Sequence, residues 1–151
     1  MRWCPPMMDP QVLRQLVEEL IPFNRFLGVR VRHQEKGRIE VEIPWRDELM
    51  GDPFKRAVHG GVIGALVDTA GGMVLWAGLQ DPAHQRLSTI DLRIDYLRPG
   101  RPEDLVAEAV VVRAGRTVGV ADMRVFHPTA RDETIATGKG VYVIKTPRSK
   151  S

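Results

Sequence analysis

One aspartate stands alone in the longest mostly apolar stretch of this 151-residue chain. Between Val62 and Leu79, Asp68 is the only side chain that ionises. Burying a bare charge is so costly that such a carboxylate is paired, exposed to solvent or used in a reaction. The stretch is too long for one strand, and the spacing of its apolar residues favours a helix. Asp68 is therefore a candidate reactive group on a helix.

Two glycines stand where this helix would begin. Gly60 and Gly61 offer unhindered backbone N–H groups, and a helix N-terminus binds anions. Asp68 follows Gly61 by seven residues, which is about two helical turns, or roughly 10.5 Å of rise. The pattern predicts an anion-binding helix start with a carboxylate further along the same helix.

Short strands are predicted on both sides of this helix. Asp9 and Pro10 are typical of a helix start, and Pro22 ends that first amphipathic helix. A loop is predicted at residues 45–58, just before the central helix. Alternation of apolar and polar residues, or valine enrichment, predicts strands at residues 27–32, 38–43, 89–96, 105–113, 117–126 and 134–144. Successive strands joined by short turns pair antiparallel, so we predict an α+β fold.

The central helix contains internal glycines. Gly64, Gly71 and Gly72 cost it roughly 2.5–3 kcal/mol relative to alanine. This cost is expected only where backbones must approach closely. The glycines therefore predict a helix laid tightly into the concave face of a curved sheet.

Composition indicates an ordinary globular protein, with 43% apolar and 27% charged residues. We expect one domain over 1–151, with flexible tails at 1–8 and 146–151. The net charge is +3 without a dense basic block, so nucleic-acid binding has only weak support and is not expected. A single cysteine, Cys4, excludes an intrachain disulfide and a cysteine-cluster zinc site. The chain start lacks a signal-peptide pattern, and Asp68 opposes membrane insertion, so we expect a cytoplasmic protein.

The motif residues resemble a known family. His59-Gly60-Gly61 followed by Asp68 is similar to the His-Gly-Gly-(six residues)-Asp signature of hotdog-fold acyl-CoA thioesterases of the PaaI type. Residues 88–100 resemble the strand that follows the helix in that family, and the similarity runs from about Leu49 to Val143. It implies a hotdog fold, in which a curved antiparallel sheet of about five or six strands wraps a long central helix. An N-terminal helix is expected in addition.

The resemblance also implies an activity, hydrolysis of an acyl-CoA thioester to free acid and CoA. The N–H of Gly60, with Gly61 as a second candidate donor, would hold the thioester oxygen. Asp68 would act across a subunit interface as general base or as nucleophile, and Thr89 matches a position whose hydroxyl places the attacking water. No metal or other cofactor is implied. The expected partners are the acyl-CoA substrate and further copies of the chain, as a homodimer or a dimer of dimers.

Further substrate contacts are predicted from charge. Arg98, Arg116 and Lys139 would neutralise the CoA phosphates, although a solvated surface position is the alternative for each. His59 is also predicted to be a substrate-binding residue, and it is expected to shape the turn before the helix more than to act in catalysis. The other histidines lack metal-ligand spacing and are predicted at the surface, at positions 33, 84 and 127.

Some features leave alternatives open. Period-2 alternation places Thr89 on the strand face opposite Ile90 and Leu92, unless a bulge intervenes. Residues 51–58 contain no asparagine, which related enzymes often carry near the thioester.

A non-catalytic acyl-CoA-binding or sensing module on the same fold is the main alternative function, and Asp68 argues against it. A hydratase is a weaker one, because an Asp/His pair in the required context is absent.

Overall fold

A long helix lies on a six-stranded antiparallel sheet in the computed structural model, which describes residues 7–147. The helices are α1 (Pro10–Arg14, continued by a π-helical segment, Gln15–Leu20), α2 (Pro22–Leu27) and α3 (Gly60–Trp76). The strands are β1 (Arg30–Glu35), β2 (Arg38–Ile43), β3 (Met50–Asp52), β4 (Ala57–Val58), β5 (Arg86–Tyr96), β6 (Leu105–Ala114), β7 (Val118–Phe126) and β8 (Ala136–Lys145).

The sheet order is β1-β2-β6-β7-β8-β5, and all of its neighbouring strands run antiparallel. The helix α3 crosses one face of this sheet and buries Leu66, Val67 and Ala70 completely. Facing side chains such as Ile39 and Ala109 are equally buried. Burial of this apolar layer fixes the position of α3. The strand β5 lies at one end of the sheet and β1 at the other.

The chain up to residue 58 differs from the prediction at three places. Asp9 caps α1 as expected, accepting from the Gln11 N–H at 2.8 Å. Pro22 ends this first helical segment, but it also begins α2, because proline suits the first position of a helix. Gly28, with φ +75°, ends α2, so the strand predicted from residue 27 begins at Arg30. The loop predicted at residues 45–58 contains the short β3–β4 pair.

Close approach to α3 occurs at one of its internal glycines. A Cβ on Gly71 would lie 2.2 Å from the Tyr142 hydroxyl oxygen, and one on Gly140 would lie 2.5 Å from the same ring. The nearest atoms to a Cβ on Gly64 or Gly72 are 3.5 and 3.6 Å away, which is ordinary contact. The expectation of tight packing is therefore confirmed at Gly71 and wrong at Gly64 and Gly72.

The opposite face of the sheet carries an ion-pair network. Glu40, only 6% exposed, accepts from Arg131 at 2.5 Å, and Arg38 bonds Glu108 nearby. Burial alone would raise the pKa of Glu40, but the hydrogen bond and charge of Arg131 outweigh it, so that this pKa lies below its ordinary value. Arg131 also stacks on the buried ring of Phe126 at 4.6 Å.

His127 is buried, so its predicted surface position is wrong. It is 3% exposed, its Nδ1–H donates to the Asp104 carbonyl at 2.8 Å, and its Nε2 accepts from the Arg101 N–H at 2.9 Å. These bonds hold the connection between β5 and β6.

The predicted tails fall mostly outside the described residues, which exclude 1–6 and 148–151. Met8, within the predicted N-terminal tail, donates its N–H to the Ala77 carbonyl at 2.9 Å. Within residues 7–147, no helix has both the length and the apolar character needed to cross a membrane.

Candidate active site

The start of α3 presents one free backbone donor. His59 caps the helix, and its Nδ1 accepts from the Gly61 N–H at 2.8 Å. A Cβ on Gly61 would lie 2.9 Å from that nitrogen, so the cap requires glycine. No described residue accepts from the Gly60 N–H. Tyr96 donates its hydroxyl to the Gly60 carbonyl at 2.9 Å, which ties the helix start to β5. Of the two predicted oxyanion donors, Gly60 is therefore the one that stays available.

Asp68 lies half-buried in the middle of α3. The Thr89 hydroxyl donates to its Oδ1 at 2.8 Å, so the structure brings these two predicted residues together. Within residues 7–147, Asp68 forms no ion pair, and its second oxygen accepts no hydrogen bond. A carboxylate that is oriented through one oxygen and open at the other can accept a proton or attack an electrophile.

Tyr142, on β8, contacts the backbone of α3 at Asp68. Its hydroxyl donates to the Asp68 backbone carbonyl at 3.1 Å, and its side chain is 1% exposed. Burial raises the pKa of Tyr142, and the charge of Asp68 and the hydrogen bond to it raise that pKa further. Tyr142 therefore stays a protonated donor. Sequence reasoning missed it, although the close approach expected at Gly71 was a signal that a bulky neighbour packs there.

Thr89 was predicted on the face of β5 opposite Leu92 unless a bulge intervened. A bulge does intervene, so this prediction of the strand face is wrong. The pairing of β5 with β8 shifts between Thr89 and Asp91. The shift turns Thr89 toward α3, on the same side as Leu87 and Leu92, while Ile90 is 59% exposed. The extra residue thus changes the side of the strand that carries the hydroxyl, and this is what lets Thr89 reach Asp68.

The predicted cationic contacts lie in three different places. Arg98 lines an open cavity of about 380 Å³ beside Gly60 and Tyr96. Arg116 lines another, of about 250 Å³, at the far end of α3. Lys139 forms an ion pair with Asp122 on the outer face of the sheet. One chain therefore brings only Arg98 close to the helix start.

Metal ligands are not assembled around this site. Among the described residues, no group of three or more histidine, cysteine, aspartate or glutamate side chains lies close enough to hold a metal ion. The chemistry available to the described site is that of a carboxylate, a hydroxyl and a backbone donor.

Comparison with known proteins decides the family. The family model described as the thioesterase superfamily matches residues 56–133, which include the helix start, Asp68 and Thr89. The chain belongs to the thioesterase superfamily. It is 36% identical over 135 residues to the medium/long-chain acyl-CoA thioesterase YigI of Escherichia coli, covering 82% of this chain and 86% of that protein.

Solved structures agree with this assignment. A protein of Shewanella oneidensis related to the thioesterase superfamily is 31% identical, with a TM-score of 0.77 and coverage of 89% and 96% of the two chains. A thioesterase of Haemophilus influenzae has a TM-score of 0.82 over 99% of both chains at 21% identity, which shows the fold alone. The predicted hotdog fold and the predicted thioester hydrolase are confirmed, whereas the PaaI subtype stays a prediction.

Proposed function

We propose that this protein hydrolyses acyl-CoA thioesters to a free acid and CoA, with Asp68 as the reacting group. The observation that carries the proposal is the state of Asp68 in a chain of the thioesterase superfamily. Thr89 orients one of its oxygens, and in the described chain no cation neutralises it.

The backbone donor of Gly60 supplies the second part of the reaction. The thioester carbonyl oxygen gains negative charge when its carbon is attacked, and an N–H placed there stabilises that charge by roughly 2.7–4 kcal/mol in hydrolases. The cap of His59 on Gly61 and the bond of Tyr96 to Gly60 hold this donor in place.

Two routes through Asp68 lead to the same products. As a general base, Asp68 takes a proton from water while the water oxygen bonds to the thioester carbon. As a nucleophile, it bonds to that carbon itself, and water then cleaves the resulting anhydride. In both routes the carbon–sulfur bond breaks, the sulfur leaves as the thiol of CoA after protonation, and the acyl group leaves as a carboxylic acid.

In our proposal, the Gly60 N–H and the Asp68 carboxylate of one active site come from different copies of the chain. Gly60 and Asp68 lie about 12 Å apart along one helix at 1.5 Å per residue, which is too far for a single thioester carbon. The strand β5 pairs with β8 on one side, and its other edge is where a second copy would join. The active site would then lie at a homodimer interface, with a dimer of dimers as the larger assembly.

Release of free thiol tests the proposal. Wild type and Asp68→Asn are assayed on a panel of acyl-CoAs, beginning with medium and long chains because YigI is named for them. We expect turnover by the wild type and its near-complete loss in the variant. Saturable binding of acyl-CoAs without thiol release would instead identify an acyl-CoA-binding module, and equal turnover by both proteins would remove Asp68 from the mechanism.

A further inference from the structure

The segment that joins β5 to β6, residues 97–104, belongs to neither a helix nor a strand, so no sheet ladder holds it. Its first four residues form one wall of the cavity beside the start of α3. The N–H groups of Leu97 and Arg98 donate to the Ile135 carbonyl at 2.9 and 3.2 Å, which fixes the beginning of this β5–β6 segment. Its two prolines lack the N–H that further backbone bonds would need. The second half of the segment therefore depends on side chains for its position.

His127, directly after β7, holds the second half of the segment at two points. Its Nδ1–H donates to the Asp104 carbonyl at 2.8 Å, and its Nε2 accepts from the Arg101 N–H at 2.9 Å. A carbonyl can only accept and a backbone N–H can only donate, so these partners fix one tautomer of the neutral ring. The ring is buried, so solvent does not replace either bond when it is lost. His127 is thus the side chain that joins the two ends of residues 101–104 to β7.

The β5–β6 segment in turn holds both ends of the loop that leads into α3. At the beginning of this loop, the Trp45 N–H donates to the Asp104 carboxylate at 2.8 Å. At its end, the Val58 N–H donates to the Gly100 carbonyl at 2.9 Å. A Cβ on Gly100 would lie 3.3 Å from the Val58 side chain, so the two segments are in close contact there. Val58 directly precedes His59, which caps α3.

We infer that His127 is a positioning residue for the Gly60 N–H. Its two hydrogen bonds fix the β5–β6 segment, and the segment fixes Val58. Val58 then fixes the turn at His59 after which the Gly60 N–H begins the helix. Tyr96, just before the segment, bonds the Gly60 carbonyl, so the helix start is held from both ends of the same wall. The inference rests on the proposed function, because it concerns the donor that would stabilise the thioester oxygen.

Two substitutions of His127 separate its hydrogen bonds from its packing. His127→Leu fills the space but loses both bonds, whereas His127→Gln keeps a donor and an acceptor at the end of its side chain. We expect kcat for acyl-CoA hydrolysis to fall about 10- to 100-fold in His127→Leu with KM unchanged, because a displaced donor weakens the transition state alone. His127→Gln should recover most of this kcat. A wild-type kcat for folded His127→Leu, or a kcat for His127→Gln as low as that of His127→Leu, would overturn the inference.

Leu13→Ala is the control for a loss of stability alone. Leu13 is fully buried on α1, and truncation of such a side chain destabilises the fold outside the proposed site. We expect folded Leu13→Ala to keep the wild-type kcat, and a fall equal to that of His127→Leu would overturn the inference. Selective ¹⁵N-glycine labelling adds a readout that does not depend on activity. The Gly60 amide resonance should shift in His127→Leu and stay in place in Leu13→Ala, and an unchanged resonance in folded His127→Leu would also overturn the inference.

Gly100→Ala tests the same path if His127→Leu does not fold. Gly100 has no positive φ, so alanine can adopt its backbone, but the new methyl group would press on Val58 at 3.3 Å and displace it. We expect kcat to fall about 3- to 10-fold with KM unchanged, together with a shift of the Gly60 resonance. A wild-type kcat and an unmoved resonance would overturn the inference. Absence of thiol release by the wild type on every acyl-CoA would instead overturn the proposed hydrolysis, and the Gly60 resonance would still decide whether His127 positions that N–H.

Discussion

Two carboxylates on opposite faces of the same sheet are held in opposite ways. Glu40, on the outer face, is 6% exposed, and Arg131 and Arg38 both lie within ion-pair distance of it. Asp68, on the helix side, is half-buried and receives one hydroxyl, from Thr89. In the described chain no cation pairs with Asp68.

In the proposed mechanism, this difference separates a structural carboxylate, Glu40, from a reactive one, Asp68. An arginine neutralises the charge of Glu40 and occupies its oxygens, which leaves them unavailable to a substrate. A hydroxyl orients Asp68 but leaves its negative charge and one oxygen open. A carboxylate that lacks a counter-ion gives up stability, and such a position is expected where chemistry requires it.

After replacement of Asp68 itself, the largest effect within this comparison is expected for Thr89→Val. Valine keeps the shape of the side chain but removes the hydroxyl that orients Asp68, so we expect kcat for thioester hydrolysis to fall about 10- to 100-fold. This range corresponds to the loss of one hydrogen bond to a charged group. Steady-state thiol release measures it. Thr89→Ser keeps the hydroxyl and should retain most of the activity, and a kcat for Thr89→Val equal to that of the wild type would contradict the role of Thr89.

A second prediction concerns the packing beneath Asp68. Gly71→Ala should lower the free energy of unfolding by about 1–3 kcal/mol, because the new methyl group overlaps the Tyr142 hydroxyl. Urea unfolding followed by circular dichroism measures the change. Gly72→Ala is the control: it has room for a methyl group and should raise the stability by up to about 1 kcal/mol through helix propensity. Equal effects of the two substitutions would contradict the packing described around Tyr142.

The smallest effect is expected at Glu40 and depends on pH. The pKa of Glu40 lies below its ordinary value of 4.5 in the folded protein, so its ionised pair stabilises the fold above that pH. This contribution is lost as the pH falls below 4.5 and Glu40 is protonated. Glu40→Gln should therefore lower the stability at pH 7 by about 1 kcal/mol and reduce the loss on acidification. An equal fall in the free energy of unfolding of the two proteins on acidification would contradict this role of Glu40.

The parts of the molecule that local sequence determines were predictable. Glycines before an apolar helix with one aspartate indicated α3. Alternation of apolar and polar residues, or valine enrichment, indicated the six strands of the large sheet. Pro22 was less informative, because proline suits both the end of one helix and the first turn of the next. The sequence alone also could not show the bulge after Thr89, since an extra residue in a strand leaves no local pattern.

Contacts between distant segments were not predictable in the same way. Tyr142 reaches Asp68 from a strand 74 residues further along the chain, and Arg131 meets Glu40 across 91 residues. The alternation of residues along β7 does not predict the burial of His127. Its burial depends instead on its hydrogen bonds to the segment that follows Pro99. These residues depend on which strands become neighbours, so they follow from the assembled sheet.

The most direct test of the account measures the two carboxylates side by side. The kcat of Asp68→Asn and of Glu40→Gln is compared with that of the wild type at pH 7 on the acyl-CoA that the wild type hydrolyses best. We predict that Asp68→Asn loses about 10²- to 10⁴-fold in kcat while it stays folded, and that Glu40→Gln keeps the wild-type kcat. Wild-type turnover by folded Asp68→Asn would contradict the central claim that the unpaired carboxylate carries the reaction.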